Sequence, residues 1–362
     1  MPQPAPEAIE TLIDAGSFEA ARDDVPVADP LRFPGYADAL AAARERSGAT
    51  EAVVTGAASI GTIPVEVAAF DFAFMGGSVG AAAGELLARA LERSVRRRVP
   101  FVLRTATGGA RMQEGMSALA QMPKVVAARL TLADAAQPFV AVLGHPTTGG
   151  VLASLAGLAD VTIAEAGATV GFAGPRVVEA ATGRRLSDDS HTAAAALAAG
   201  LVDAAEEPNE VRARLASVLS ILSAPASSED VVEPGVSTPA PRDPWAALQA
   251  VRSPDWPRAP DLAREVAGSL FELRGDRAGR DDGSCFATLA TIHGARALVL
   301  ALDHRLAPGP AAYRKAARCV KIAGRLRTPV VTLVDTSGAD PSEESEAGGI
   351  AWAIAQLLEE ML

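Results

Sequence analysis

Residues 100 to 114 read Pro100-Phe-Val-Leu-Arg-Thr-Ala-Thr-Gly-Gly-Ala-Arg-Met-Gln-Glu114, and this stretch decides the fold. The apolar run Phe101–Leu103 predicts a short buried strand, and a helix is expected after the turn that follows. The adjacent glycines Gly108 and Gly109 allow a sharp turn and a close approach of the backbone to a ligand. Backbone N–H groups gathered at such a turn suit an oxygen that gains negative charge during a reaction. We therefore predict an oxyanion-binding turn that ends at Ala110.

The chain contains this stretch twice. The second copy, Pro329-Val-Val-Thr-Leu-Val-Asp-Thr-Ser-Gly-Ala-Asp340, lines up without a gap at an offset of 229 residues from the first. Upstream, Ile63–Asp71 resembles Ala295–Asp303 at an offset of 232 residues, so the intervening loops differ by three residues. A period of this length indicates two copies of a domain rather than a solenoid. The repeat places Gly338 and Ala339 at the second turn.

Length and composition predict two domains. The 362 residues suggest roughly two domains, and an apolar fraction of 49% is ample for two cores. We predict an N-terminal domain over residues 1–222, a Pro- and Ser-rich linker over 223–244 and a C-terminal domain over 245–362. Strands alternate with helices in both domains, which indicates an α/β fold with a largely parallel sheet. Within the second domain a helix is predicted over residues 262–271.

Charge and cysteine content exclude several classes of protein. The net charge of −11 argues against nucleic acid as the main partner. Cys285 and Cys319 give neither a disulfide framework nor the spacing of metal ligands, so we expect free thiols and no metal. The N-terminus lacks the basic and apolar regions of a signal peptide, and no apolar run is long enough to span a bilayer. These observations predict a cytoplasmic protein with no membrane partner.

Further motifs are candidates for chemistry. Gly149 and Gly150 form a second Gly-Gly turn after a buried strand, and two such turns on neighbouring strands suggest a paired anion site. Each backbone donor would lower a barrier by about 3 kcal/mol, although an ordinary strand-to-helix turn is the alternative at both places. Gly76–Gly80 fits the G-x-S-x-G pattern of a hydrolase, with His191 as its best histidine. The basic run Arg93–Arg98 is either a solvated helix end or a contact for a coenzyme A ester.

Four stretches together resemble the β-half of the carboxyltransferase component of biotin-dependent acyl-CoA carboxylases, over about residues 5–220. They are Phe72-Ala-Phe-Met-Gly-Gly-Ser-Val-Gly80, Thr107-Gly-Gly-Ala-Arg-Met-Gln-Glu114, His145-Pro-Thr-Thr-Gly-Gly-Val-Leu-Ala-Ser154 and Val170-Gly-Phe-Ala-Gly-Pro-Arg-Val177. Three later stretches resemble the α-half of a β–α fusion: Glu272-Leu-Arg-Gly-Asp-Arg277, Tyr313-Arg-Lys-Ala316 and Asp335-Thr-Ser-Gly-Ala339. The resemblance implies two crotonase-like domains (the ClpP/crotonase ββα superhelix) in tandem, with the second incomplete.

The resemblance also implies an activity. Carboxybiotin would give its carboxyl group to acetyl-CoA or propionyl-CoA, forming malonyl-CoA or methylmalonyl-CoA through an enolate held by backbone oxyanion holes, as in fatty acid biosynthesis. The catalytic groups implied are Gly108, Gly109, Ala110, Gly149, Gly150, Gly338 and Ala339. The substrate-binding residues implied are Gly76, Gly77, Arg111, Gly174 and Arg176. Biotin would be carried by a separate biotin carboxyl carrier protein and loaded by a biotin carboxylase, and the active site would lie between copies of a homo-oligomer.

Three departures from the family pattern leave alternatives open. The chain has no four-cysteine zinc ribbon, and Ser337 stands where the first turn has Gly108. The second copy also stops before its own version of residues 139–150, which weakly favours a biotin-independent decarboxylase of malonyl thioesters on the same fold. A partner subunit without catalytic activity is the third possibility.

Overall fold

The computed structural model describes residues 3–227 and 243–362, apart from residues 28, 30, 252 and 254. The chain divides into two compact units. Unit 1 comprises Met1–Leu222, Arg274–Asp281 and Gly324–Arg327, and unit 2 comprises Ser223–Leu273, Asp282–Ala323 and Thr328–Leu362. Most of the linker expected over 223–244 lies outside the described residues, so its character stays a prediction.

Unit 1 is built on an eight-stranded sheet. Its strands are β1 (Glu19–Ala20), β2 (Val53–Ile60), β3 (Ile63–Phe70), β4 (Phe101–Thr107), β5 (Phe139–Thr148), β6 (Val161–Glu165), β7 (Val170–Gly171) and β8 (Ala204–Glu206). The spatial order is β1-β2-β3-β4-β5-β6-β8, and β7 pairs with the end of β5. Strands β1 to β3 pair antiparallel, and every pairing from β3 onward is parallel.

The helices of unit 1 cover this sheet. They are α1 (Ala5–Glu10), α2 (Tyr36–Ser47), α3 (Ala81–Arg97), α4 (Met116–Leu119), α5 (Gln121–Asp134), α6 (Gly149–Ser154), α7 (Pro175–Thr182), α8 (Ala193–Ala198) and α9 (Val211–Ser223). Apolar side chains of α3 and α5 pack on the parallel strands in one buried core. Within it the rings of Phe101 and Phe139 are 5.3 Å apart, which joins β4 to β5.

Unit 2 has a four-stranded sheet in the order β12-β11-β10-β9. Its strands are β9 (Ser269–Glu272), β10 (Cys285–Ile292), β11 (Ala295–Leu302) and β12 (Val330–Leu333). Its helices are α10 (Pro244–Val251), α11 (Ala259–Val266), α12 (Pro310–Leu326), α13 (Glu343–Ala347) and α14 (Ile350–Met361). Strands β9 to β11 pair antiparallel, and β12 pairs parallel with β11.

The two units repeat the same elements at the spacing predicted from the sequence. Helices α3 and α12 both have 17 residues, and the strand after each begins at the fourth residue beyond the helix end. The hairpins β2–β3 and β10–β11 both join eight-residue strands by two residues of positive φ, Gly61-Thr62 and His293-Gly294. Positive φ at both positions is the geometry of a type I′ hairpin. The duplication inferred from residue spacing is therefore confirmed.

One predicted element was wrong. The helix expected over residues 262–271 ends at Val266, and Ser269–Glu272 form strand β9, paired with β10. Gly268 separates the two elements, because glycine is a poor helix former and readily takes the bend between them. Pairing with a neighbouring strand thus overrode the local helical pattern. Within the described residues, no helix combines the length and apolar character needed to cross a membrane.

Candidate oxyanion-binding turns

The first predicted turn follows β4 and leaves one of its three N–H groups unpaired. The Gly108 N–H donates to the carbonyl of Gly76 at 2.9 Å. The Gly109 N–H donates to Oγ1 of Thr107 at 3.0 Å. The Ala110 N–H has no acceptor among the described residues, and Ala110 is half-buried. Of the three residues predicted as oxyanion donors, Ala110 is therefore the one whose donor is available to a ligand.

The second predicted turn packs against the first. It follows β5, the parallel neighbour of β4, and the Gly149 N–H donates to the carbonyl of Phe172 at 2.8 Å. The Gly150 N–H lies in the first turn of α6 and has no acceptor among the described residues. A Cβ added to Gly109 would lie 3.1 Å from N of Gly150. The structure thus brings both Gly-Gly turns together.

Glycine is required at this contact for steric and conformational reasons. Gly109 has φ +107° and Gly149 has φ +68°, and side chains rarely adopt either conformation. A Cβ on Gly149 would lie 2.9 Å from the carbonyl oxygen of Gly108. The chain therefore uses glycine here so that two backbone segments can touch.

Gly76 and Gly77, predicted to bind substrate, accept hydrogen bonds from Gly108 and Thr107 of the first turn. Besides accepting from Gly108, this segment accepts through the carbonyl of Gly77 from Oγ1 of Thr107 at 2.6 Å. A Cβ on Gly77 would lie 2.0 Å from the carbonyl oxygen of Ala106. The contacts of both glycines with β4 and the turn indicate a scaffolding role.

Arg111, also predicted to contact substrate, is fully buried. Its guanidinium donates to both carboxylate oxygens of Glu51 and lies 3.3 Å from Oε1 of Glu114. The ring of Phe74 lies 5.4 Å from Cζ of Arg111. Burial lowers the pKa of Arg111, but Glu51 and the Tyr36 hydroxyl outweigh this effect and raise it above its usual value. The structure therefore gives Arg111 a positioning role in place of the predicted substrate contact.

Glu114 links this buried cluster to helix α3. Its Oε1 accepts from the Tyr36 hydroxyl at 2.6 Å, and its Oε2 accepts from the Ala81 N–H, at the start of α3, at 2.6 Å. Burial and the bond to Glu114 raise the pKa of Tyr36 above its usual value, so the phenol stays protonated and donates. Sequence reasoning did not single out Glu51, Glu114 or Tyr36. No sequence signal marked Arg111 as buried, so nothing in the sequence pointed to these acidic partners.

Gly174 and Arg176 follow β7 along the chain. Strand β7 pairs with the end of β5, and residue 172 accepts the bond from Gly149, so this segment runs past the turn. Gly174 precedes α7, and Arg176 is exposed with no ion pair among the described residues. The guanidinium of Arg176 is therefore free to bind an anionic ligand.

The residues of the hydrolase alternative are not brought together. Oγ of Ser78 lies 3.3 Å from Nε of Arg111, and no histidine contacts it among the described residues. His191 is bound through Nδ1 to Oγ of Ser190 instead. The basic run is partly internal as well, since Arg93 and Arg97 both bind the buried Glu66. The described residues also contain no group of three or more side chains arranged to hold a metal.

The turn of unit 2 is open. Gly338 has φ +119°, and a Cβ placed there would meet nothing within 4 Å. Its N–H donates to Oγ1 of Thr336 at 3.1 Å, which repeats the bond between Gly109 and Thr107. The Ala339 N–H has no acceptor among the described residues, as at Ala110.

Comparisons with known proteins define the class. Residues 4–362 match the family model described as the carboxyl transferase domain. The structure is similar to transcarboxylase 12S, described as a hexamer with methylmalonyl-coenzyme A bound, at a TM-score of 0.77 and 24% identity over 99% of this chain and 69% of that one. It is also similar to a single-chain, multi-domain long-chain acyl-CoA carboxylase, at a TM-score of 0.74 and 20% identity over 98% of this chain and 35% of that chain. These likenesses confirm the tandem crotonase-like fold.

Sequence relatives point to the same family. The chain is 41% identical, over 97% of its length, to the acetyl-coenzyme A carboxylase carboxyl transferase subunits beta/alpha of Salinispora tropica, and covers 67% of that protein. It is 37% identical, over 97% of its length, to the probable biotin-dependent acyl-coenzyme A carboxylase beta3 subunit of Mycobacterium tuberculosis, of which it covers 71%. It spans about two thirds of the length of the first curated relatives it matches. The chain belongs to the carboxyl transferase domain family, as the resemblance predicted.

Proposed function

We propose that this chain transfers a carboxyl group from carboxybiotin to a short acyl-CoA, acetyl-CoA or propionyl-CoA. The observation that carries the proposal is the contact between the two Gly-Gly turns of unit 1. There the N–H groups of Ala110 and Gly150 have no acceptor among the described residues. Unpaired, fixed backbone donors stabilise an oxyanion, at about 3 kcal/mol for each donor.

The donor chemistry of unit 1 fits the groups that this reaction requires. A thioester oxygen and the ureido oxygen of biotin are both neutral acceptors that gain negative charge, and an unpaired N–H such as that of Ala110 suits either. Carboxybiotin, when bound, supplies the carboxyl group. The chain itself supplies the donors, their orientation and the steric exclusion around them. The Arg111 cluster fixes the turn, and the exposed Arg176 is the candidate contact for a coenzyme A phosphate.

The proposed partners are a biotin carboxylase, a biotin carboxyl carrier protein and further copies of this chain. Three exposed apolar side chains follow the first turn: Met112 is 85%, Met116 75% and Leu119 52% exposed. A cluster of this kind commonly marks an interaction surface. Its position beside the turn supports a second copy packing over it. Light scattering on the purified chain tests this, because substitution of Met116 by Asp should lower the oligomeric mass.

The test of the proposal is carboxyl exchange with free biotin. Malonyl-CoA or methylmalonyl-CoA is mixed with biotin and the purified chain, and biotin-dependent formation of acetyl-CoA or propionyl-CoA is measured. Gly149→Ala inserts a Cβ 2.9 Å from the carbonyl oxygen of Gly108, and should lower the rate at least about 100-fold. Gly48→Ala is the matched control, since Gly48 has φ +69° but open space around its Cβ position.

Three results would be informative. Biotin-dependent turnover lost in Gly149→Ala and kept in Gly48→Ala supports the carboxyltransferase. Product formed equally without biotin would replace it with the malonyl-thioester decarboxylase. Failure to bind either coenzyme A ester, measured by calorimetry, would indicate a partner subunit without catalytic activity.

A further inference from the structure

Strands β4 and β5 change register just before the two Gly-Gly turns of unit 1. The strands pair in parallel with Thr105 opposite Leu143, and beyond an irregularity Thr107 lies opposite Thr147. Over this interval β4 advances by two residues and β5 by four, so β5 carries two extra residues in a bulge at positions 144–146. Bulges are common next to active sites, where they redirect the strand that carries them.

The register after the bulge is the one at which the two turns meet. Paired residues are 38 positions apart in sequence before the bulge and 40 positions apart after it. The same separation of 40 positions relates Gly109 to Gly149 and Ala110 to Gly150. Without the two extra residues, Gly109 would lie opposite Thr147, and the second turn would be displaced by about 7 Å along the strand. The contact between the turns therefore depends on the bulge.

Two buried threonine hydroxyls tie the bulge to β4. Thr105 and Thr147 are fully buried, and their Oγ1 atoms are 2.6 Å apart. Oγ1 of Thr147 donates to the carbonyl of Gly144 at 2.8 Å. Because that bond uses the only hydrogen of the Thr147 hydroxyl, its oxygen accepts from Thr105. The other acceptor near Thr105, the carbonyl of Val142, is farther away at 3.4 Å.

The backbone of the bulge is held on both sides. A Cβ on Gly144 would lie 2.6 Å from the carbonyl oxygen of Thr105, so glycine allows the bulge to lie against β4. On the other side, the Thr147 N–H donates to the carbonyl of Thr169 at 2.8 Å. The Thr169 N–H in turn donates to Nδ1 of His145 at 3.2 Å. The extra residues are thus fixed between β4 and the segment that leads into β7.

The fold that the two units share does not require a hydroxyl at position 105. At the offset of 229 residues, Thr336 stands at the position of Thr107, but Val334 stands at the position of Thr105. Valine has nearly the shape of threonine and an equal preference for strands, but it carries no hydroxyl. Val334 is 74% exposed, whereas Thr105 is fully buried. The hydroxyl of Thr105 therefore serves the contact with Thr147 and not the strand itself.

We propose that Thr105 and Thr147 are positioning residues whose paired hydroxyls hold β5 in the register at which the two Gly-Gly turns meet. They thereby set where the unpaired N–H groups of Ala110 and Gly150 lie relative to each other. Both threonine side chains are fully buried, so they act through the backbone and not on the substrate. The proposal rests on the proposed function, which uses these two donors.

The kinetics of carboxyl exchange with biotin test the consequence for catalysis. Thr147→Val keeps the shape of the side chain but leaves the carbonyl of Gly144 and the hydroxyl of Thr105 without their partner. Since a misplacement of about 1 Å can cost about 10²-fold, kcat should fall by about 10- to 10²-fold. The KM for malonyl-CoA should not change, because the donors act on charge that develops in the transition state.

Conservative and remote variants separate positioning from a general loss of stability. Thr147→Ser keeps the hydroxyl and should restore kcat. Thr288→Val is the matched control, because Thr288 is fully buried on β10 and its hydroxyl donates to the carbonyl of Phe271 at 2.9 Å. It should lower the free energy of unfolding and leave kcat unchanged. Thr105→Val combined with Thr147→Val should be no slower than Thr147→Val, because both changes break the same run of hydrogen bonds.

Crystal structures of the wild type and Thr147→Val test the register without turnover. In the variant, the backbone of Gly149 and Gly150 should move relative to Gly109 by about 1 Å. Thr105→Val, which leaves the bond from Thr147 to Gly144 intact, is the milder second variant and should move it in the same direction. Turns that stay in place overturn the proposal, and so does equal slowing in Thr147→Ser or Thr288→Val. A wild type without biotin-dependent exchange overturns the proposed function, whereas the positions of the turns still decide the role of the threonines.

Discussion

In unit 1 the turn at Gly109 is buried and packed against Gly149 and Gly150, whereas in unit 2 the equivalent turn at Gly338 is exposed. Both turns follow a strand at the same place in the repeat, and both bind a glycine N–H to a threonine two residues earlier. The neighbours differ. The Gly109 turn is in close contact with another backbone segment. The Gly338 turn is open, and the His304–Asp335 hydrogen bond lies three residues before it in the chain.

The side chains that hold the two turns in place also differ: those of unit 1 are buried, and those of unit 2 lie near the surface. Arg111 follows the first turn and is buried with Glu51 and Glu114. Asp340 takes the position of Arg111 in unit 2 and binds Ser342 and Ser345 near the surface. The two turns thus have similar backbone conformations, with φ +107° at Gly109 and +119° at Gly338, but their supporting side chains differ in charge and burial. We therefore expect a rigid turn in unit 1 and a solvent-accessible turn in unit 2, and experiments can test both.

The largest effect is expected from Arg111→Met. Removing one partner of a buried ion pair leaves Glu51 and Glu114 buried without their cation, which should lower the free energy of unfolding by about 3–5 kcal/mol. Urea-induced unfolding measures it. The same change at the exposed Arg176 should alter stability by less than about 0.5 kcal/mol. Equal stability of the Arg111 variant and the wild type would refute the anchoring role.

The next effect is on catalysis. Gly109→Ala forces a side chain into φ +107° and places its Cβ 3.1 Å from N of Gly150. Carboxyl exchange should therefore fall by about 10²- to 10³-fold, the value of one oxyanion donor. Gly338→Ala meets no neighbour within 4 Å and carries only the strain of its φ, so its loss should be smaller. A larger loss at Gly338 would reverse the comparison.

A smaller effect, on the free energy of unfolding, is expected when Thr107 or Thr336 is replaced by valine. Oγ1 of the buried Thr107 joins the Gly109 N–H to the carbonyl of Gly77. Thr107→Val leaves both groups unpaired and should cost about 1–3 kcal/mol in urea-induced unfolding. Thr336 is half-exposed, so water can replace its hydroxyl, and Thr336→Val should cost less than about 0.5 kcal/mol. Similar losses at both sites would show that the turns are equally buried in solution.

The smallest effect concerns pH. Hydrogen bonds, first from Ser345 and then from Ser342, lower the pKa of Asp340 from its usual value of 3.8. The folded state therefore binds this proton more weakly than the unfolded state, so ionised Asp340 stabilises the fold above that value and loses its effect as the pH falls. The difference in melting temperature between wild type and Asp340→Asn should stay constant well above pH 3.8 and should change as the pH falls below that value. A difference that does not change below pH 3.8 would contradict this assignment.

Residue spacing alone gave the duplication, the strands that precede both turns, and the two Gly-Gly motifs. These features depend on local patterns: apolar runs, positive-φ positions and helix lengths that recur at a fixed offset. The helix predicted over 262–271 failed where a strand pairing competed with the local pattern. Arg111 was assigned to substrate because a single arginine in a motif carries no information about its burial.

The sequence by itself determined that two copies of one domain exist, that both carry a glycine turn after a strand, and which family they resemble. The tertiary structure decided which N–H groups remain unpaired, that Arg111 is internal, and that His304 meets Asp335. The reason is physical: backbone conformation follows from neighbours along the chain, whereas hydrogen-bond pairing depends on segments far apart in sequence. Glu51 and Arg111 are 60 positions apart, and His304 and Asp335 are 31 positions apart, so only the folded chain brings each pair together.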